Sequence, residues 1–323
     1  MKTTTRFLQG ILAALAVCAA LPALAQGFPN KPIKLVVPYP PGGGTDVLAR
    51  IIAPKLGEAL GQPVVIDNKP GAGGTIGSAV AAKMPPDGYT LLILNTLPHT
   101  SSAGLYAKLS YDPVKDFAGI GAIATVPYVI TLNPNVPAKN WAEFAALAKQ
   151  GKLNYASAGT GSATHLAAEF LKAQTKLPMT HVPYKGGGPA IADLLGGQVD
   201  LTIENIASVI GHIRAGKLRA IAVTTSARSS ILPELPTIGE SGYPGFDVGG
   251  KFGIVVPAGA PPEVIATLSA ALQKAVKSDE YVQKLREQGG EPKTMTPAEW
   301  DALMRAESAK WLGVISASGL KPE

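Results

Sequence analysis

Histidine, cysteine and paired acids are the usual carriers of chemistry, and this chain is sparing with them. Its four histidines, at 99, 165, 181 and 212, show no H-x-x-x-H spacing, and its one cysteine, Cys18, falls in the N-terminal leader. No metal site is expected, and the chain without its leader has neither a thiol nucleophile nor a disulfide. His181, near a strand end, reads as structural. Ser162 and His165 are three apart, which would put them on one helix face. A nucleophile and its base also need an orienting acid and an oxyanion hole, and "GTGSAT" (159–164) is not a G-x-S-x-G elbow.

What the chain does repeat is a glycine-rich turn leading into a helical pattern: "PPGGGTD" (40–46), "SAGTGSAT" (157–164) and "PYKGGGPA" (183–190). A helix start carries unpaired N–H donors and about half a positive charge. Glycine lets the preceding backbone turn tightly and approach a ligand. Together these make an anion site without a cationic side chain. Thr45 and Ser162 add hydroxyls near two of the starts, and Lys185 adds a charge at the third. A Walker loop would need Lys-Ser/Thr where Gly44 is followed by Thr45-Asp46. "GTGSAT" ends in Thr where a dinucleotide fingerprint needs Gly, and "GAGGTIG" (71–77) lacks the acidic partner. No cofactor is expected. One such turn is often only a turn, whereas three aimed at one cleft imply a ligand. Asp46 reads as a helix cap rather than a base. Asp200 and Glu204 flank a strand end, where a carboxylate either faces solvent or selects an amino or other donor group.

The elements that must hold these turns alternate. "IKLVVPY" (33–39), "PVVIDNK" (63–69) and "DGYTLLILN" (87–95) read as strands, and Leu48, Ile52, Leu56 and Leu60 form one helix stripe between the first two. "LNYAS" (153–157), "MTHVPY" (179–184), "VDLTIEN" (199–205) and "LRAIAVTT" (218–225) build a second series. This is the pattern of βαβ units in a mostly parallel sheet. "GAIATVPYVITLNP" (121–134) is long for one strand and could be two segments joined by a crossing; "VGGKFGIVVPAG" (248–259) resembles a second crossing. The tail is helical, with Thr296 as an N-cap. The expected architecture is two α/β lobes, the second inserted into the first, with all three turns at the carboxyl ends of strands, where ligands of open α/β sheets sit.

The 323 residues suffice for two domains. Lys2 and Arg6, the apolar "FLQGILAALAVCAAL" and the small-residue "ALA" (23–25) read as an export signal over residues 1–25, cleaved before Gln26. A lipoprotein signal using Cys18 is the rival, with Val17 a poor neighbour for lipidation. The apolar run is too short to favour a membrane span. Removing the leader takes the net charge from +6 to +4. The remaining bases are scattered, which argues against nucleic acid as a partner.

The segments "VVPYPPGGGTDVLARIIAPKL", "VVIDNKPGAGGTIGSAVAAKMPPDGYTLL", "YAKLSYDPVKDFAGIGAIATVPYVITLNP", "YASAGTGSATHLAAEFLK", "HVPYKGGGPAIADLLGGQVDL" and "AVTTSARSSILPELPTIGESGYPGFDV", with the closing "SGLKPE", resemble the periplasmic solute-binding proteins of tripartite tricarboxylate transporters, the Bug family. The resemblance runs from about Lys31 to the C-terminus. It implies an α/β, two-lobed Venus flytrap fold with mixed, mostly parallel sheets flanked by helices. One lobe would comprise 27–125 plus 250–323, the other 126–249, with the ligand cleft between them. It implies a monomer without enzymatic activity or cofactor, exported to the periplasm, that delivers a small carboxylated solute to membrane permease subunits. A sensor kinase as the partner and a periplasmic hydrolase using Ser162/His165 are the alternatives.

The resemblance also implies a solute carboxylate held by backbone amides and bridging waters between turns of the two lobes. Carried onto this chain, the first turn is Tyr39, Gly42, Gly43, Gly44, Thr45 and Asp46. The second is Ser157, Ala158, Gly159, Thr160, Gly161, Ser162, Thr164 and His165. Tyr184, Lys185 and Gly186 belong to the third. Asn95 and Thr96 add wall residues, as do Glu204 and Asn205 in "TIENIAS". Family members often carry Asn-Pro before the Leu-Tyr of "AGLYAKL", where this chain has "HTSSAGLY", so the wall at 99–102 departs from the pattern. Family ligands range over amino acids, di- and tricarboxylates, aromatic carboxylates and pyridine derivatives.

Overall fold

The computed structural model describes residues 27–318; the leader and its cleavage site lie outside the described residues. In chain order the elements are β1 (Ile33–Val37), α1 (Gly44–Leu60), β2 (Val64–Asn68), a 3-10 turn (Ala72–Gly74), α2 (Thr75–Ala82), β3 (Thr90–Asn95), α3 (Thr96–Leu105) and β4 (Phe117–Leu132). There follow α4 (Trp141–Ala148), β5 (Asn154–Ser157), α5 (Ala163–Thr175), β6 (Thr180–Pro183), α6 (Gly187–Leu195), β7 (Leu201–Asn205), α7 (Ile206–Arg214) and β8 (Arg219–Val223). The chain ends with β9 (Gly249–Pro257), α8 (Pro262–Val276), α9 (Asp279–Glu287), β10 (Glu291–Pro292) and α10 (Pro297–Ser318).

Leu48, Ile52 and Leu56 are buried, as their spacing requires, against Ile33, Leu35 and Leu91 of the sheet. The helix they stripe stops at Gly61, whose φ of 67° is the left-handed conformation that ends helices at least cost in glycine.

The strand order is β2-β1-β3-β9-β4-β7-β5-β6, with β10 and β8 also paired to β4. The class expected from sequence, α/β with mixed, mostly parallel sheets flanked by helices, is the class observed. β1 runs parallel to β2 and β3, and β5 to β6 and β7, while antiparallel pairing is confined to ladders containing β4 or β9. The long segment after Asp116 is one continuous strand of 16 residues. It pairs with β9 as far as Pro127↔Gly249, then with β7 from Tyr128↔Asn205. Register shifts between Gly119 and Gly121, Ala122 and Ala124, and Ile130 and Thr131 bend the ladders, the usual effect of a bulge. The chain returns beside the same point: the Thr224 N–H donates to the Tyr128 carbonyl at 3.0 Å and the Val248 N–H to the Thr224 carbonyl at 2.9 Å.

Thr296 caps α10 reciprocally with Glu299. The Glu299 N–H donates to the Thr296 hydroxyl at 3.3 Å, and the Thr296 N–H to the Glu299 carboxylate at 2.7 Å. The helix reaches both ends of the sheet. Trp300 is buried with β3 and β9 residues, while the Trp311 ring meets Phe170 of α5 at 6.0 Å.

Candidate functional site

Five helices start at one cleft. α1, α5 and α6 follow the three glycine-rich turns. α3 and α7 begin directly on the strand ends Asn95 and Asn205, which serve as their N-caps. The inner cavity is lined by Tyr39, Gly43, Gly44 and Thr45 from the first turn and by Ala158, Ser162, Ala163 and Thr164 from the second. Gly187 opens α6 there, and Asn95, Tyr128, Glu204, Asn205 and Phe252 complete the wall. None of these lining residues is Lys, Arg or His. Glu204 is the one acid among them.

The first turn is held from behind. Asp46 accepts the Gly42 N–H at 3.0 Å, Arg50 Nε at 2.8 Å and Asn68 Nδ2 at 2.9 Å, and the same Asn68 amide donates to the Tyr39 carbonyl at 2.9 Å. Burial raises the Asp46 pKa, but the hydrogen bonds from Arg50 and Asn68 outweigh it and hold the carboxyl below its ordinary range. Asp46 is therefore a turn support with its carboxylate fully engaged. The first bond closing α1 runs from the Val47 N–H to the Gly43 carbonyl at 3.0 Å, which leaves the earlier amides for the cleft.

The second turn uses its side chains on itself. The Ala158 N–H donates to Thr164 Oγ1 at 2.8 Å, the Gly159 N–H to Ser157 Oγ at 3.1 Å and the Gly161 N–H to His165 Nδ1 at 3.1 Å. Ser157 Oγ also meets His181 Nε2 at 2.6 Å, and the two imidazoles stack at 4.2 Å. Burial, then the neighbouring His165, drives the His181 pKa down to about 4, so the ring is neutral at neutral pH. Ser162 Oγ accepts the backbone N–H of His165 at 3.3 Å and sits 3.0 Å from Thr164 Oγ1. It is the N-cap of α5.

The third turn meets the first across the cleft. Gly186 has φ +134°, and a Cβ there would lie 2.2 Å from Cγ of Pro40. A Cβ on Gly44 would lie 2.7 Å from Cβ of Asn205. Only glycine allows these close approaches. The Tyr106 hydroxyl donates to the Thr160 carbonyl at 2.7 Å, a further tie between the two sides.

Of the residues expected from sequence, Tyr39, Gly43, Gly44, Thr45, Asn95, Ala158, Ser162, Thr164, Glu204 and Asn205 are brought to the inner cavity. Gly159, Thr160, Tyr184, Lys185 and Gly186 line an adjoining pocket, where Lys185 is exposed. The Tyr184 hydroxyl donates to Asp193 of the following helix, α6, at 2.7 Å. Gly42, Asp46, Ser157, Gly161 and His165 act behind the turns. Thr96 is fully buried, with no partner for its hydroxyl among the described residues. The divergent stretch at 99–102 lies within α3, its hydroxyls bonded to the helix backbone: Thr100 to Thr96, Ser101 to Leu97, Ser102 to His99. His99 instead borders a smaller cavity beside Tyr111.

Tyr128, Phe252, Ala163 and Gly187 were not singled out by sequence reasoning. One signal for Tyr128 was present. The triplet Val-Pro-Tyr occurs at 37–39, 126–128 and 182–184, and all three tyrosines end up at or beside the cleft. The Tyr128 hydroxyl receives a hydrogen bond from the Asn95 amide.

Two walls of α/β structure closing a cleft at the strand ends, with helix starts for lining, define a periplasmic solute-binding protein of the Venus flytrap kind. Residues 48–320 match the model of the tripartite tricarboxylate transporter family receptor. The chain belongs to that family, which includes the Bug proteins. It is 38% identical over 315 residues to protein BugT of Bordetella pertussis, covering 97% of this chain and 96% of that one. Among solved structures it is similar to Rhodopseudomonas palustris Rpa4515 with adipate, at 38% identity and TM-score 0.88, covering 92% of this chain and 100% of the other. It is also similar to MatC of the same organism with bound malate, at 33% identity and TM-score 0.84, covering 89% and 100%.

Proposed function

We propose that the protein captures a small carboxylated solute in the inner cavity, without chemistry, and hands it to the permease of a tripartite tricarboxylate-type transporter. The observation that carries this reading is the convergence of helix starts from both sides on a cavity whose lining has no cationic side chain. Oriented N–H groups and helix dipoles provide the positive field. An anion held this way is neutralised by donors belonging to two lobes, so it favours the closed arrangement and is released when they part. The adipate and malate named in the structures of Rpa4515 and MatC are both carboxylates, which supports the class. The proposed binding residues are the first-turn amides at 43–45, the α5 start at 162–164 and the wall at Asn95, Tyr128, Glu204 and Asn205.

Thermal shift of the exported chain, from Gln26 onward and refolded to remove retained ligand, tests this. The panel is mono-, di- and tricarboxylates, aromatic acids and amino acids, each with its matching amide. A carboxylate present at 100 times its Kd adds about 2.7 kcal/mol of stability, and the amide adds none. Equal shifts from acid and amide, or none from any acid, would overturn the reading. Product formation during the incubation would revive the hydrolase alternative.

A further inference from the structure

Glu204 is the one ionisable acid lining the inner cavity. Its Oε1 accepts the N–H of Asn205 at 2.8 Å, while its Oε2 is buried with no hydrogen-bond partner among the described residues. The residue is 3% exposed and lines the inner cavity. A Cβ on Gly187 would stand 3.1 Å from that oxygen and 3.6 Å from the Gly43 Cα, which places Oε2 where the start of α6 meets the first turn. Next to it, Asn205 Nδ2 is likewise buried and without an acceptor. A buried polar group without a partner is costly, more so when charged. Two adjacent orphans of opposite character therefore describe the missing partner: a molecule that offers an acceptor to Asn205 and a donor to Glu204.

We infer that Glu204 forms a donor-reading subsite, so that the solute is a small carboxylate bearing a hydroxyl or ammonium group beside its acid rather than an unsubstituted acid. This rests on the carboxylate-binding reading above. The solute carboxylate takes the helix-start amides and the Asn205 amide, and its substituent donates to Glu204 Oε2. An unsubstituted acid leaves that oxygen unpaired. Sites built to pair a polar group reject analogues lacking it far more strongly than apolar pockets reject a missing methylene.

The test is titration calorimetry at pH 8, where Glu204 is ionised and accepts only, on the refolded chain with matched triplets: propionate, lactate and alanine; succinate, malate and aspartate; glutarate, 2-hydroxyglutarate and glutamate. Within the triplet that binds, the hydroxyl or ammonium member is expected to bind at least about tenfold tighter than the unsubstituted acid. Glu204→Leu should erase that preference by weakening only the substituted member. Glu204→Gln, which keeps a carbonyl acceptor, should retain a hydroxyl preference and lose an ammonium one. Equal affinity of all three members in the unaltered protein overturns this inference alone, as does a preference that survives Glu204→Leu in a variant with unchanged melting. If no carboxylate binds, the parent reading fails and this one with it.

Discussion

Replacing Glu204 by Gln should change how stability depends on pH. Burial pushes the Glu204 pKa from 4.5 up to about 7, with the hydrogen bond from the Asn205 N–H pulling weakly the other way. The groups facing it are the Tyr39 and Tyr128 phenols, both themselves raised by burial and neutral in this range. The folded protein therefore holds a proton that the unfolded chain has released between these two values. Stability from this group is full below pH 4.5 and is lost as pH rises through 7. Between pH 5 and 8 the loss amounts to about 2–3 kcal/mol. Gln cannot titrate. Relative to the unaltered protein, Glu204→Gln should gain about 2–3 kcal/mol over that interval, while the titration of His99 and His181, both lowered to about 4, is common to the two proteins and cancels. Urea unfolding of both ligand-free proteins at pH 5, 6, 7 and 8 reads this directly. Parallel curves would refute the desolvated-carboxyl account, and a gain at low pH instead would mean the carboxyl is stabilised as an anion by the helix starts.

Three further outcomes are expected. Gly44→Ala puts a methyl into Asn205 across the cleft and so disfavours the arrangement in which the two turns meet; affinity for the carboxylate that binds should fall at least about tenfold, read by calorimetry, and unchanged affinity would refute the contact. Tyr106→Phe removes the bond to the Thr160 carbonyl and should weaken binding by about fivefold through loss of about 1 kcal/mol of closure energy, visible as a more open shape in small-angle scattering of the ligand-free protein. Asp46→Asn leaves Arg50 without its ion pair and weakens the Gly42 bond, so stability should drop by about 1–3 kcal/mol in urea unfolding.

The glycine-rich turns were legible because backbone conformation at those positions is written in residue type. Gly186, whose Cβ would strike Pro40, can be little else. The strand and helix periods were legible for the same local reason, and Thr296 could be read as a cap because its partner Glu299 lies three residues on. What could not be read was anything decided across the fold. Whether 117–132 is one strand or two depends on β9 and β7 supplying partners to its two halves in turn. Tyr128 and Phe252 reach the cavity only because their strands pass beneath it. Tyr184 and Lys185 turn to the outer pocket because Asp193, one helical segment away, takes the Tyr184 hydroxyl.

The positive end of this cleft is main chain. Side-chain substitution alters shape, length and the group that reads the solute's second function, but it leaves the N–H groups at the starts of α1, α5 and α6 where they are; proline alone deletes one. On the proposed reading, a lineage carrying this scaffold can therefore exchange residues such as Asn95, Tyr128, Glu204 and Phe252 and move to a different acid without passing through a form that has lost its hold on the charge. Recognition of the anion and choice of the molecule are separately heritable.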